Sequence, residues 1–128
     1  MSPLAYFSRL ITRLRYPVSL PEDVAQALGV PFSNAQPFKD FVKQLLAPTL
    51  KPTTLSRFMM REDAERAFGN APIKERFHRS TLFSYYFNEG WLEFVLKFDD
   101  QGSLRRVYMM HKDIPLENGI ELRLQKNL

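Results

Sequence analysis

The fold is decided by residues 81–110, which read TLFSYYFNEGWLEFVLKFDDQGSLRRVYMM. Residues 81–87 are rich in β-branched and aromatic types, which favour strands. Apolar residues then alternate with other residues over 91–98 and again over 104–110. This period of two is typical of strands that turn one face toward a core, so the stretch predicts neighbouring antiparallel strands.

The segments between and after these strands have the composition of turns. Asn88-Glu89-Gly90 and Asp99-Asp100-Gln101-Gly102 combine residues that favour tight hairpin connections. After Asn118-Gly119, three apolar residues at alternate positions predict a last short strand. We therefore expect a three- to four-stranded antiparallel meander within residues 77–126.

The residues ahead of this meander have the period of helices instead. The clearest helix spans residues 37–47, where apolar side chains recur at helical spacing. A capping box of Ser19 and Glu22 predicts the start of another helix, and Gly29 predicts its end. Two more helices are expected at 3–15 and about 58–68. The predicted fold class is therefore α+β, with N-terminal helices preceding the sheet.

Length and composition place the chain among ordinary globular domains. It has 128 residues, of which 45% are hydrophobic and 13% aromatic, and a formal net charge of +4. This supports a single domain over 1–128, comprising a basic amphipathic helix at 1–18, a helical part at 19–70 and the sheet at 77–126. The absence of cysteine excludes disulfides, thiolate metal sites and a cysteine nucleophile.

The N-terminus lacks the pattern of a targeting signal. No run of about 18 apolar residues occurs, so no transmembrane helix is predicted. Arg9, Arg13 and Arg15 interrupt the apolar stretch near the start, and no small-residue cleavage site follows it. The sequence therefore predicts a cytoplasmic protein.

One part of the chain has a recognisable family pattern. A short helix that ends in Gly69 is followed by Pro72, then by strands that contain Phe98-Asp99 and Leu104. Over residues 57–110 this pattern resembles the SmpA/OmlA (BamE-like) domain of outer-membrane assembly lipoproteins, whose fold is also seen in β-lactamase-inhibitor proteins. The resemblance implies a non-enzymatic domain that binds another protein through its sheet and loops.

Groups suited to catalysis are few. The chain has two histidines, His78 and His111, and none of the common nucleotide-binding or hydrolase motifs. His111 and Asp113 share the spacing of a base and its orienting carboxylate on a strand, but no nucleophile accompanies them. Asp99-Asp100 could bind a hard cation, although a hairpin loop explains both residues equally well. We therefore expect no catalytic residues, no metal and no cofactor.

The leading functional prediction concerns the outward face of the sheet. Its expected members are more apolar than a solvated face usually is. We therefore predict a module that binds a protein partner or a second copy of itself through this face. The residues predicted to carry that contact are Trp91, Val95, Arg105, Val107 and Met109.

The alternative prediction is a small RNA- or DNA-binding protein. Basic side chains on a sheet hold phosphates while neighbouring aromatic rings stack on bases. The residues predicted for this role are Arg76, Arg79, Tyr85, Arg105 and Arg106. Glu75, Glu89 and Glu93 dilute this patch.

The segment 3–15 carries three arginines and no acidic residue, with an apolar stripe on its other side. We expect the stripe to pack against the helix at 37–47. Docking in a partner's groove, self-association and peripheral contact with an anionic membrane are the alternatives for residues 3–15.

Overall fold

The computed structural model describes residues 18–33, 36–47, 49–111 and 119–126, in which three helices precede an antiparallel sheet of five strands. Each strand pairs with the next along the chain, so the sheet is a meander in the order β1-β2-β3-β4-β5. The elements are α1 (Pro21–Leu28), α2 (Phe38–Leu45), α3 (Arg61–Ala67), β1 (Ile73–Arg76), β2 (Ser80–Phe87), β3 (Gly90–Phe98), β4 (Leu104–His111) and β5 (Ile120–Leu122).

The predicted α+β class with helices before strands is confirmed, whereas the predicted number of strands is wrong. The additional strand is β1, which pairs with Thr81–Ser84 at the edge of the sheet. Three of its four residues are charged and exposed. A strand with one solvated edge and few apolar residues has no alternating hydrophobic pattern, so its sequence gave no strand signal. The helix predicted at 3–15 lies outside the described residues.

The ends of the helices depart from prediction by one to three residues. Helix α1 has Leu20 at its N-cap, and the Leu20 N–H donates to the Asp23 carboxylate at 3.0 Å. The predicted cap at Ser19 is therefore wrong. Gly29 ends α1 with a φ of 67°, as predicted. Helix α3 begins only at Arg61, because the backbone of Met60 bridges to Ser103 just before it.

The core lies between the three helices and one face of the sheet. Val24, Phe41 and Ala64 bring buried side chains from α1, α2 and α3 to this interface. The rings of Phe68 and Phe83 stack there with centroids 4.9 Å apart. Burial of so many aromatic and aliphatic side chains is the main stabilising contribution to the fold.

A bulge near the start of β4 decides which side chains face this core. Phe98 pairs with Leu104 and Lys97 with Arg106, so Arg105 is an extra residue between the two pairs. Leu104 and Val107 consequently both lie in the core, although they are three residues apart.

The prediction that Val107 and Met109 belong to the outward face is therefore wrong, because both are fully buried in the core. Strict alternation through Arg105 had assigned them to the wrong side. We call the side of the sheet opposite the three described helices the outer face. The register places these residues on it: Leu82, Ser84, Tyr86, Trp91, Glu93, Val95, Lys97, Arg106, Tyr108 and Met110.

Candidate functional site

An open cleft of about 680 Å³ lies where the chain between α2 and α3 meets the C-terminal strand. Phe58 lies in this cleft among five cationic side chains and a single carboxylate. We call it the basic cleft. Its charged residues are Lys51, Arg57, Arg105, Arg123, Lys126 and Glu121.

Backbone pairing between two distant segments builds the cleft. Ser56 and Gln125 form a parallel bridge. The Gln125 N–H donates to the Leu55 carbonyl at 2.9 Å, and the Arg57 N–H donates to the Gln125 carbonyl at 2.9 Å. The Gln125 side chain also donates to the Pro52 carbonyl at 3.0 Å. These bonds hold the connector that carries two cations beside the C-terminal segment that carries two more.

Phe58 occupies an unusual backbone conformation at the centre of this connection. Its φ is 70°, and it is the one non-glycine residue with a positive φ among those described. A left-handed backbone costs an L-residue about 1–2 kcal/mol. The surrounding bonds enforce it: the Phe58 N–H donates to the Leu104 carbonyl at 2.6 Å, and the Leu104 N–H donates to the Met59 carbonyl at 2.8 Å. Strain of this kind concentrates at functional positions.

The strained backbone leaves the ring of Phe58 at the surface. The residue is 42% exposed. The guanidinium of Arg105 lies over the ring, 4.7 Å from its centroid, in a cation–π contact. Arg105 reaches this position because it is the extra residue of the β4 bulge. The same irregularity that inverts the strand pattern therefore supplies a cation to the cleft.

The cleft carries an excess of positive charge. Within the described part of the chain, Lys51, Arg57, Arg123 and Lys126 form no ion pair, and all four side chains are exposed. Glu121 is the single carboxylate that lines the cleft, and its negative charge is offset by Arg106, which lies 3.6 Å away. The cleft is thus suited to an anionic ligand with several charges.

The fifth cation of the cleft has a weak acidic neighbour. Arg105 lies 3.6 Å from Asp99. The N–H of Ser103 contributes most to holding the pKa of Asp99 below its usual value, and the N–H of Gln101 and the Arg105 guanidinium lower the pKa of that carboxyl further. Because these backbone bonds already stabilise the charge of Asp99, Arg105 remains able to interact with a second anion.

The residues predicted to bind nucleic acid do not come together on one surface. Tyr85 is fully buried, and its hydroxyl donates to the Asn70 side chain at 2.7 Å, so its ring is inaccessible to a base. Burial, with the negative charge of Asp23, raises the pKa of Tyr85. Arg76 lies on the helix-bearing face, whereas Arg106 lies on the outer face.

The charges of these predicted arginines are largely offset by carboxylates. Arg79 lies 2.6 Å from Asp100, and Arg76 lies 3.2 Å from Glu65. Of the predicted nucleic-acid residues, Arg105 alone lines the basic cleft.

Glu65 is the centre of an ionic cluster beneath the turn between β1 and β2. It accepts hydrogen bonds from Thr81 at 2.5 Å and Arg61 at 3.2 Å, and Lys74 lies 3.3 Å away. Burial would raise the pKa of Glu65, but these partners together hold its pKa below the ordinary value. Arg61 also donates to the carbonyls of residues 77, 78 and 80. The cluster therefore fixes the turn and has a structural role.

The residues predicted for protein binding are divided among three environments. Trp91 and Val95 lie on the outer face and are half-buried. Arg105 lines the basic cleft, while Val107 and Met109 are core residues. The outer face keeps an apolar and aromatic part, but its members differ from those predicted, because Tyr108 and Met110 take the places of Val107 and Met109.

The candidate catalytic pair is not assembled in the described residues. His111 is buried on the helix-bearing face, with its ring 6.0 Å from that of Phe38, and Asp113 lies outside the described residues. The described ranges contain no group of three or more His, Asp or Glu side chains that could hold a metal ion. Within the same ranges, no helix has the length and apolar character needed to cross a membrane.

Comparison of the chain with known protein families, with curated proteins and with solved structures gives no match. The resemblance to the SmpA/OmlA domain therefore stays a prediction.

Sequence reasoning missed most of the basic cleft because its residues are far apart in the chain. Lys51 and Arg57 lie in the connector between the helices predicted at 37–47 and about 58–68, and Arg123 and Lys126 follow β5. A signal was present in the composition, since the connector holds cations and no acidic residue from 49 to 58. No local pattern, however, indicates that these two segments pair.

Proposed function

We propose that this chain is a non-enzymatic binding module that holds single-stranded nucleic acid in the basic cleft. The observation that carries this proposal is that the strained and exposed Phe58 shares one cleft with four cations that form no ion pair within the described residues. The alternative function predicted from the sequence is thereby kept, but its site moves from the sheet to the cleft.

The cations supply the affinity. Lys51 and Arg57 lie on one segment of the cleft, and Arg123 and Lys126 lie on the other. We expect the side chains of both segments to contact phosphates of a strand that lies in the cleft. Their charges are not offset by carboxylates of the described chain, so the phosphates replace water and counterions without first breaking an ion pair.

The ring of Phe58 supplies the preference for single strands. An aromatic side chain stacks on a base only when the base is unpaired and turned outward. The Arg105 guanidinium over the Phe58 ring provides a second planar group beside it. Stacking on such a pair tolerates every base, so we expect little sequence preference.

A protein partner on the outer face is the second candidate function. It is supported by the half-buried apolar and aromatic side chains of Leu82, Trp91, Val95 and Tyr108, which lie on three adjacent strands of that face. Lys97 and Arg106 lie at its exposed rim. This arrangement has an apolar centre and charged margins, as protein interfaces do.

The proposed function is tested by the salt dependence of binding. The probe is a fluorescein-labelled oligouridylate of about 10 nucleotides, a length within the site sizes of single-strand binders. If four cations each contact one phosphate, the slope of log affinity against log salt is about −3, and affinity falls about 50-fold between 50 and 200 mM salt. Fluorescence anisotropy measures both.

Paired charge removals locate the binding. The double substitution Arg57→Gln and Arg123→Gln should reduce the salt slope by about 1.4 and weaken binding about 25-fold at 0.1 M salt. The matched control replaces Lys39 and Lys43, two exposed cations of α2, by glutamine. This control removes the same net charge, so equal losses in the two variants would show a diffuse attraction and overturn the cleft as the site.

A further inference from the structure

The outer face of the sheet contains polar side chains that are almost inaccessible to water. Ser84 is 3% exposed and its cross-strand neighbour Glu93 is 4% exposed. The three described helices do not cover them, since the buried side chains of those helices belong to the core cluster on the opposite face. A carboxylate on an uncovered sheet face would be solvated, so the burial of Glu93 indicates that this face has an occupant.

The chain preceding Ser19 starts next to this face. β1 covers only the part of β2 from Thr81 to Ser84, which leaves the edge of Tyr86 for another segment. Ser19 uses that edge: its N–H donates to the Tyr86 carbonyl at 2.6 Å, and its hydroxyl accepts from the Tyr86 N–H at 3.3 Å. Tyr86 itself points to the outer face and is 6% exposed.

We propose that residues 3–15 of the same chain dock across the outer face, with Ser19 as the fixed end of the segment. The dimensions agree, because a helix over residues 3–15 is about 20 Å long. Five strands spaced about 4.8 Å apart span about 19 Å. Val18, the first described residue, is exposed and directly precedes Ser19 at the edge of β2.

The chemistry of the segment complements that of the face. A helical projection of residues 3–15 gathers apolar side chains in one stripe, and the proposed docking places this stripe on Trp91, Val95 and Tyr108, which are half-buried. Arg13 and Arg15 flank the stripe and have side chains long enough to reach the Glu93 carboxylate while the stripe stays on the sheet. The residues of the stripe are Leu4, Phe7, Leu10, Ile11 and Leu14.

This docking differs from the packing against residues 37–47 expected from the sequence. It also restricts the second candidate function, because a protein partner could bind the outer face only after displacing residues 3–15. The proposal does not rest on the basic cleft, which lies on residues of other segments.

The unaltered full chain provides the first test. Trp91 is the only tryptophan, so acrylamide quenching reports on the outer face alone. Docking predicts weak quenching, and trypsin cleavage after Arg9, Arg13 and Arg15 that is no faster than cleavage of the folded core. Rapid removal of these residues with no change in Trp91 emission would contradict docking on this face.

Two adjacent substitutions provide the second test. Ile11 belongs to the apolar stripe, and a helical projection of residues 3–15 assigns Thr12 to the opposite side. Ile11→Asp should shift Trp91 emission to longer wavelength, increase quenching and open the arginine sites to trypsin, whereas Thr12→Asp should leave all three readouts unchanged. Equal effects of the two substitutions would overturn the proposal.

The protein concentration identifies the source of the segment. Intrachain docking predicts that Trp91 protection is the same at all concentrations. Protection that is lost on dilution, together with a dimer in sedimentation, would assign the segment to a second copy and contradict intrachain docking. If Ile11→Asp prevents folding, the cleavage and quenching of the unaltered chain still decide between these outcomes.

Discussion

Replacing Phe58 by asparagine should weaken ligand binding while changing the free energy of unfolding little. The ring is 42% exposed, so a little over half of it is buried. Full burial of a phenylalanine stabilises a protein by about 1.5–3 kcal/mol, and loss of this share costs about 1–2 kcal/mol. Asparagine tolerates the left-handed backbone of this position, and relief of that strain returns about 1 kcal/mol. The net change in unfolding free energy is therefore within about 1 kcal/mol.

Binding should respond much more strongly than stability. Loss of one stacked base costs about 1–3 kcal/mol, which corresponds to about 5- to 150-fold in the dissociation constant. Anisotropy titration with the labelled oligouridylate measures this loss, and urea unfolding measures stability. Because no phosphate contact is removed, the salt slope of Phe58→Asn should equal that of the unaltered chain.

Phe77 provides the matched control for this substitution. It is 54% exposed and lies in the turn between β1 and β2, beside Arg76 and Arg79. Phe77→Asn should leave affinity unchanged. The reasoning is refuted if Phe77→Asn weakens binding while Phe58→Asn does not. The binding site would then lie at the turn beside Arg76 and Arg79, two of the arginines predicted from the sequence to bind nucleic acid.

Three further predictions concern the stability of the fold. Ionised Glu65 stabilises the folded state, because its partners lower the pKa of its carboxyl below 4.5. The melting temperature should therefore fall as the pH drops below 4.5 and passes through this lowered pKa. Glu65→Gln should flatten that part of the pH profile. In urea unfolding, Val107→Ala should destabilise the fold by about 2–3 kcal/mol, because Val107 is buried in the core. Val95→Ala, on the outer face, should cost about 1 kcal/mol or less. Equal losses would argue against the β4 bulge that turns Val107 into the core. Gly29→Ala should lower the melting temperature, because the added Cβ would collide with the Thr53 hydroxyl at a backbone that already has positive φ, and an unchanged melting temperature would contradict this turn.

The elements with strong local patterns were predictable from the sequence. Helix α2 follows from the spacing of Phe41, Val42 and Leu45, all of which are buried as predicted. Gly102, with a φ of 76°, lies in the hairpin loop that its composition indicated. In both cases the information is contained in about ten neighbouring residues, and tertiary packing agrees with it.

The orientation of β4 was not predictable from alternation alone. Leu104-Arg105-Arg106-Val107 places two polar residues between two apolar ones, which is the signature of a bulge as well as of a strand end. The pairing with β3 decides between these interpretations. Lys97 opposes Arg106 and Phe98 opposes Leu104, so Arg105 has no opposing residue on β3. That pairing is a long-range property, so the outer face predicted from the sequence contained two core residues.

The basic cleft depends on the same kind of information. Its position is set by the bridge of Ser56 to Gln125, which joins residues far apart in the chain, and by the bulge that turns Arg105 toward Phe58. Neither feature has a local hydrophobic period. Nucleic-acid binding was the alternative function predicted from the sequence, and we propose the basic cleft as a different location for it.

Ultraviolet cross-linking of the full chain to the oligouridylate, followed by mass spectrometry of the peptides, tests the central claim most directly. The account predicts cross-links on the segments 51–58 and 121–126, with Phe58 prominent, and their loss at high salt. Cross-links confined to Trp91 and the outer face, or to residues 76–79, would contradict the basic cleft as the binding site.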